Sequence, residues 1–89
     1  MTAWSLETTR DFDRSLRRLD HPDARRVVAY LLEAVASGDP CSRGAGMSGD
    51  RAGYWRYRIG DYRVVVRLED ARMVVVALDV GHRSTIYRD

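Results

Sequence analysis

The chain has no lysine, so all 15 of its basic side chains are arginine. It has one cysteine, Cys41, which excludes an internal disulfide and a cysteine-based zinc site, and only His21 and His82 could join it as metal ligands. We therefore expect no metal and no cofactor. The chain also lacks an apolar run long enough to span a membrane, and residues 1–7 have neither the basic start nor the apolar core of a signal peptide. These absences predict a cytoplasmic protein that does not contact membranes.

The length and composition are those of one small domain, covering residues 1–89, with 45% hydrophobic and 31% charged residues. The net charge of +2 is unevenly placed. Residues 1–53 contain eight arginines and eight acidic residues, whereas residues 54–89 contain seven arginines and five acidic residues. The positive excess therefore lies in the second part of the chain.

Residues 54–67 predict a two-stranded antiparallel hairpin. Gly60 and Asp61 form a two-residue turn between runs of aromatic and β-branched residues that alternate with a period of two. This turn places Ile59 opposite Tyr62 and Arg58 opposite Arg63. Four arginines then share one side of the hairpin, which we call the arginine face: Arg56, Arg58, Arg63 and Arg67. The other side is apolar and is predicted to form the core-forming face: Trp55, Tyr57, Ile59, Tyr62, Val64, Val66 and Leu68.

Two interpretations of the arginine face stay open. Like charges directly opposite each other destabilise a sheet, by about 0.2–1 kcal/mol per pair, so the pairing of Arg58 with Arg63 needs an external reason. A bound polyanion would supply one. Alternatively, the arginines are solvated side chains on the open face of an antiparallel sheet, with their stems covering apolar neighbours.

Two amphipathic helices are predicted before the hairpin. Thr8 or Thr9 is the expected N-cap of the first helix, which ends near Asp20. Pro22 starts the second, because proline is tolerated in the first turn of a helix and not inside it. Residues 37–38 then end it. The two helices form an αα-hairpin, and its apolar stripes are expected to cover the core-forming face.

The remaining segments complete the predicted fold. Residues 4–6 alternate as a short first strand, and the glycine-rich residues 41–53 are typical of a loop. Residues 73–78 are almost all apolar and predict a central strand. Residues 81–84 then bend the chain, and residues 85–87 would form a last edge strand. The order βααβββ predicts an α+β fold, with a small antiparallel sheet of four to five strands and the αα-hairpin packed on one face.

The C-terminal residues add His82, Arg83 and Tyr87 to the candidate site. If the strand over residues 73–78 pairs beside the hairpin, these residues lie near the end of the arginine face that carries Arg58 and Arg63. Cleavage of RNA by its own 2′-hydroxyl needs a base for that proton, cations for the charge that grows on phosphorus and an acid for the leaving 5′-oxygen. Arginine can serve only as the cation. Proton transfer is therefore left to His82, to Tyr87 or to a group of the substrate or ribosome.

Residues 53–66, the apolar strand and residues 80–88 together resemble the RelE branch of the RelE/ParE toxin superfamily. The preceding βαα order fits that family, so the resemblance covers nearly the whole chain. It implies a toxin of a type II toxin-antitoxin system, acting as a ribosome-dependent, metal-independent endoribonuclease that cleaves mRNA in the ribosomal A site. It also implies a cognate RelB-like antitoxin that wraps and neutralises the toxin, in a hetero-oligomer able to bind operator DNA.

The resemblance further implies a catalytic set: Arg56, Arg58, Arg63, Arg83, Tyr87 and His82. In this comparison Arg63 matches an arginine that contacts phosphate, and Arg83 matches the arginine after the final glycine. Tyr87 matches a C-terminal tyrosine that stacks on a base or assists proton transfer. Many RelE-like toxins have lysine where this chain has Arg56 and Arg58, and His82 is a candidate for the base that arginine cannot supply. The predicted RNA-binding set is Arg56, Arg58, Arg63, Arg67 and Tyr54.

Three other functions are compatible with the sequence. A ParE-like toxin of the same fold would inhibit DNA gyrase and cleave nothing. A non-catalytic RNA-binding module would use the arginines as a phosphate platform and Tyr54 or Tyr87 as a stacking surface. The third is a domain that only binds a protein partner. The presence of Arg56, Arg63, Arg83 and Tyr87 in one chain favours the nuclease.

Overall fold

The computed structural model describes residues 4–47 and 53–82. In chain order they form β1 (Ser5–Thr8), α1 (Arg10–Arg17), α2 (His21–Ala36), a 3-10 turn (Pro40–Ser42), β2 (Ala45–Gly46), β3 (Tyr54–Ile59), β4 (Tyr62–Glu69) and β5 (Val74–His82). The predicted first strand, both helices, the hairpin and the apolar strand are confirmed. Within these residues, no helix combines the length and the apolarity that crossing a lipid bilayer requires.

The five strands form one sheet in the order β1-β5-β4-β3-β2. β1 runs parallel to β5, and every other neighbouring pair is antiparallel. The predicted α+β class is confirmed, but the sheet is mixed rather than wholly antiparallel. The helices carry the chain across one face of the sheet to its far edge. β3, β4 and β5 then follow one another across the sheet towards β1. β5 lies beside β1 and runs parallel to it.

The helix starts agree with the sequence. Thr9 is the N-cap of α1, and its Oγ1 accepts a hydrogen bond from the backbone N–H of Phe12 at 3.1 Å. The same hydroxyl is 3.0 Å from the carbonyl oxygen of Leu78, which ties the start of α1 to β5. Pro22 lies in the first turn of α2, as expected. α1 ends at Arg17, slightly earlier than predicted, because the chain tightens into a turn before α2.

The core lies between the two helices and one face of the sheet. Tyr57 of β3 is fully buried and lies edge-on to Tyr30 of α2, with ring centroids 5.5 Å apart. The buried cluster comprises Phe12, Val27, Leu31, Ala34, Val35, Tyr57, Ile59, Val64, Val66, Val75, Ala77 and Val80. The predicted core-forming face is thus confirmed. Because both helices pack on this face, the arginine face is the opposite surface of the sheet.

The glycine-rich stretch is not wholly a loop. β2 pairs with β3 there, with Ala45 opposite Arg56 and Gly46 opposite Trp55. The fifth strand of the sheet is therefore β2. The strand predicted at residues 85–87 lies outside the described residues.

β5 is longer than predicted and contains a bulge. Val66 pairs with Ala77 and Val65 with Asp79, so Leu78 is an extra residue. Asp79 beyond the bulge accepts a hydrogen bond from the Ser15 hydroxyl of α1 at 2.7 Å. The strand then continues to pair with β4 as far as His82, where the sequence had predicted a bend.

Candidate nucleic-acid interface

The hairpin of β3 and β4 has the predicted register. Ile59 lies opposite Tyr62, Arg58 opposite Arg63 and Arg56 opposite Val65. Gly60 has a φ of +60° in the turn, a value that favours glycine. The placement of Arg56, Arg58 and Arg63 on one face is therefore confirmed.

A cleft of about 370 Å³ opens on this face. Its lining residues are Arg56, Arg58, Arg63, Gly44 and Ala45. Arg56 and Arg58 are exposed, whereas Arg63 is half-buried and its Nη1 is inaccessible to solvent. A cation partly withdrawn from water attracts an anion more strongly than a fully hydrated one. This end of the arginine face, which we call the cleft end, therefore has the shape and charge to bind a phosphate group.

The wall of the cleft formed by residues 44–45 is anchored through the core face of β3. The indole Nε1 of Trp55 donates to the carbonyl oxygen of Arg43 at 2.8 Å. The buried hydroxyl of Tyr57 donates to the carbonyl oxygen of Pro40 at 2.7 Å, and burial raises the pKa of Tyr57. Gly44 has a φ of +82°, and a Cβ there would lie 2.3 Å from the carbonyl oxygen of Arg56. The backbone of the wall thus lies so close to β3 that any side chain at position 44 would clash with the β3 backbone.

The other end of the arginine face, the balanced end, consists of Arg67, Glu69, Arg72 and Glu7. Arg67 donates to Glu69 from Nε at 3.1 Å and from Nη2 at 2.8 Å. Arg72 donates to Glu69 at 2.5 Å and to Glu7 at 2.9 Å. The hydrogen bonds from Arg67 and then Arg72 hold the pKa of Glu69 below its usual value. Two arginines and two glutamates leave this end without net charge.

The predicted RNA-binding set is therefore divided. Arg67 lies at the balanced end and not in the cleft, and Tyr54 lies directly opposite Arg67 across the hairpin. Arg56, Arg58 and Arg63 are the members that the structure brings together. Arg67 is set apart because Glu69, two residues further along β4, accepts two hydrogen bonds from it.

His82 lies on the face of the sheet opposite to the arginines. It pairs with Tyr62, and directly paired residues point to the same side, so His82 shares the helix side with that tyrosine. The two rings meet edge-on, with centroids 6.0 Å apart. The Tyr62 hydroxyl donates to Asp23 of α2 at 3.1 Å, and this bond raises the pKa of Tyr62. His82 therefore lies at the predicted end of the hairpin, one residue beyond the partner of Arg63, but on the helix side of the sheet, because β5 keeps its alternation through Gly81 instead of bending there.

Arg83 and Tyr87 lie outside the described residues. The strand that leads to them places Gly81 opposite Arg63, at the cleft end of the sheet. Within residues 4–47 and 53–82, no group of three or more His, Cys, Asp and Glu side chains has the proximity of a metal site.

Sequence reasoning missed the contribution of Gly44, Ala45 and Trp55 to the cleft. Trp55 was expected only in the core, and residues 44–45 only in a loop. The pair of glycines at positions 44 and 46 could have indicated this contribution, because closely spaced glycines are typical of a segment whose backbone packs closely on other backbone.

Two comparisons identify the family. A family model described as the ParE toxin of type II toxin-antitoxin system, parDE, matches residues 6–87. Toxin RelG of Mycobacterium tuberculosis is 34% identical over 80 residues, which are 86% of this chain and 92% of that protein. The chain belongs to the RelE/ParE superfamily of type II toxins. The similarity to a toxin named RelG agrees with the resemblance to the RelE branch seen in the sequence.

Solved structures of RelE toxins share this fold. The RelBE2 toxin-antitoxin complex of Mycobacterium tuberculosis contains a chain with a TM-score of 0.83 and 27% identity, covering 91% of this toxin and 99% of that chain. The isolated RelE toxin of E. coli has a TM-score of 0.73 and 20% identity, covering 96% of this toxin and 92% of that chain. The E. coli likeness concerns the fold alone.

Proposed function

We propose that this toxin is a ribosome-dependent endoribonuclease that cleaves mRNA in the ribosomal A site without a metal ion. The observation that carries the proposal is the cleft end, where Arg56, Arg58 and Arg63 surround one cavity on the arginine face. A folded chain gains no stability from placing Arg58 opposite Arg63, whereas a bound phosphodiester would be attracted by both.

In this reaction the 2′-hydroxyl of the RNA attacks the adjacent phosphorus, and the bond from phosphorus to the 5′-oxygen breaks. The products are a 2′,3′-cyclic phosphate and a free 5′-hydroxyl. Negative charge grows on the non-bridging oxygens in the transition state, and fixed guanidinium groups stabilise it. Arg63 is the central cation in this scheme, since it is half-buried between β3 and β5 and lines the cleft.

The protons need other groups, because arginine stays protonated at all relevant pH values. His82 points to the helix side of the sheet, which argues against its taking the 2′-hydroxyl proton in the cleft. We therefore assign proton transfer to Tyr87 together with a group of the RNA or ribosome, and phosphate binding to Arg83 with the cleft arginines. His82 remains in the proposal only as a residue that packs on Tyr62.

The proposal includes a RelB-like antitoxin as partner. The similar structure from Mycobacterium tuberculosis is a toxin-antitoxin complex named RelBE2, and it is 27% identical over 91% of this chain. Expression of this toxin alone should stop growth, and co-expression with the antitoxin should restore it. Equal growth in both conditions, with folded toxin present, would contradict this part of the proposal.

A second candidate is inhibition of DNA gyrase without cleavage. It is favoured by one observation, since the matching family model is described as a ParE toxin of parDE systems. The cleft end favours the nuclease, because a cavity lined by three arginines is suited to the phosphate group of an RNA strand.

One experiment separates the two candidates. Purified toxin is added to ribosomes programmed with a defined mRNA, the mRNA 5′ ends are mapped, and gyrase supercoiling is assayed in parallel. We expect the mRNA to be cleaved at the A-site codon on the ribosome, mRNA without ribosomes to stay intact, and gyrase supercoiling to be unchanged. Intact mRNA together with blocked supercoiling would favour the gyrase inhibitor and reject the nuclease.

A further inference from the structure

The cleft has one uncharged wall, formed by Gly44 and Ala45. This wall faces the three arginines. β2 pairs with the edge of β3 so that Ala45 lies directly opposite Arg56, and directly opposite residues point to the same side of a sheet. The Ala45 methyl therefore points into the arginine face. A larger side chain at this position would occupy the cleft beside Arg56.

The backbone directly before this wall accepts a hydrogen bond from a side chain on the opposite face of the sheet. Trp55 precedes Arg56 in β3, so its ring lies on the helix side, beneath Gly46. Its Nε1 reaches past the edge of β3 to the carbonyl oxygen of Arg43, the residue before the wall. The Arg43 side chain is itself held, 5.1 Å above the Tyr30 ring and 3.6 Å from a carboxylate oxygen of Glu33.

We infer that residues 44–45 form the second wall of the RNA-binding cleft and that Trp55 is the positioning residue that holds this wall in place. The inference rests on the proposed function and specifies how its site is built. A cleft of about 370 Å³ is at the small end of ligand sites and takes about one nucleotide. The phosphate lies against the arginines, and the sugar and base lie against the small wall.

Two substitutions test the wall and its anchor. Ala45→Gln fills the cleft without adding charge, and Ala29→Gln is its matched control, because it adds the same side chain at an exposed position of α2. Trp55→Phe keeps an aromatic ring and removes the Nε1 donor, and Tyr62→Phe is its control, because it removes a side-chain hydrogen bond of the same sheet face, to Asp23, away from the wall. Melting temperatures establish the folded fraction of each variant.

The measurement is single-turnover cleavage of mRNA at increasing concentrations of programmed ribosomes. Ala45→Gln should raise the half-saturating concentration about tenfold and Trp55→Phe about threefold to tenfold, with the maximal rate changed less than about threefold. Ala29→Gln and Tyr62→Phe, corrected for folded fraction, should retain the wild-type half-saturating concentration. A purely structural role for Trp55 would lower the folded fraction and leave this concentration unchanged.

The outcomes distinguish the inference from the proposed function. If the wild type cleaves and Arg63→Gln does not, while Ala45→Gln and Trp55→Phe saturate like the wild type, the inference is overturned and the nuclease stands. A fall in maximal rate alone also overturns it. If the wild type cleaves nothing, the nuclease proposal fails, and the binding of a fluorescent single-stranded oligoribonucleotide decides the inference. Binding weakened about tenfold by Ala45→Gln would then support the wall, and equal binding would reject it.

Discussion

At the cleft end, Arg58 and Arg63 face each other across the hairpin, whereas at the balanced end Arg67 and Arg72 alternate with Glu69 and Glu7. Both ends lie on the same face of the same sheet. The balanced end satisfies its arginines within the fold, so their contribution is to stability. The cleft end places like charges together around a cavity, an arrangement that a bound anion would stabilise. The comparison teaches that arginines on one sheet face differ in role with their surroundings: those that line a cavity are suited to hold an anion, whereas those that share a carboxylate stabilise the fold.

The sharpest test of this comparison replaces one arginine at each end by glutamine. Arg63→Gln should lower the single-turnover rate of mRNA cleavage by about 10²–10³-fold, because it removes a cation from the developing charge. Arg67→Gln, at the balanced end, should change the rate by less than about threefold. Equal losses in the two variants would show that the whole face binds RNA and that the division into two ends is wrong.

The acid-base assignment can be tested by a second pair. Tyr87→Phe keeps the ring and removes only the hydroxyl, so a loss of about 10²-fold in the single-turnover rate is expected if that hydroxyl transfers a proton. His82→Gln should change the rate by less than about threefold, since His82 lies on the helix side. A larger effect of His82→Gln than of Tyr87→Phe would reverse the assignment.

A third test uses stability as well as activity. Arg58→Thr should weaken cleavage about tenfold while leaving the melting temperature unchanged or slightly raised, because it relieves a repulsion of about 0.2–1 kcal/mol and places a good strand former in β3. Arg67→Thr should lower the melting temperature, since it breaks the bonds to Glu69. A clear loss of stability in Arg58→Thr would mean that the arginine pair is structural.

The smallest expected effect is on the pH dependence of stability. The pKa of Glu69 is lower in the folded protein than in the unfolded chain, so its contribution to stability is present above the ordinary glutamate pKa and is lost as the pH falls through the folded value. Glu69→Gln should therefore lower the melting temperature at pH 7 and have no effect at strongly acidic pH. Glu33→Gln is the control, because its ion pair with Arg43 is longer, at 3.6 Å, and mostly exposed. A constant difference at all pH values would contradict this explanation.

The sequence predicted those features that short-range rules determine. The turn at Gly60 and Asp61 sets the parity of the hairpin, and parity alone places Arg56, Arg58 and Arg63 on one face. The N-cap at Thr9 and the restart at Pro22 are equally local. These elements could be read from a few neighbouring residues each.

Apart from the end of α1 and the hydrogen bonds from Arg67 to Glu69, the errors concern contacts between distant segments. Strands of four and two residues carry no signal of their partners, so the parallel pairing of β1 with β5 and the pairing of β2 with β3 could not be predicted. The bulge at Leu78 changes which residues of β5 meet β4, and the continued pairing of Gly81 turns His82 away from the arginines. Glu7 neutralises the balanced end from the first strand. Each of these contacts depends on which strands become neighbours in the sheet. Local sequence patterns do not encode that order.

The parallel pairing of β1 with β5 also bears on how the protein is made. Ser5 pairs with Val74, and the Thr9 hydroxyl reaches the carbonyl of Leu78, 69 residues further along the chain. Synthesis proceeds from the N-terminus, so β1 lacks its partner until β5 has left the ribosome. β5 also borders β4, the strand that carries Arg63. A toxin proposed to act on ribosomes would thus lack part of the sheet that carries its cleft until residues 74–82 of its own chain have been made.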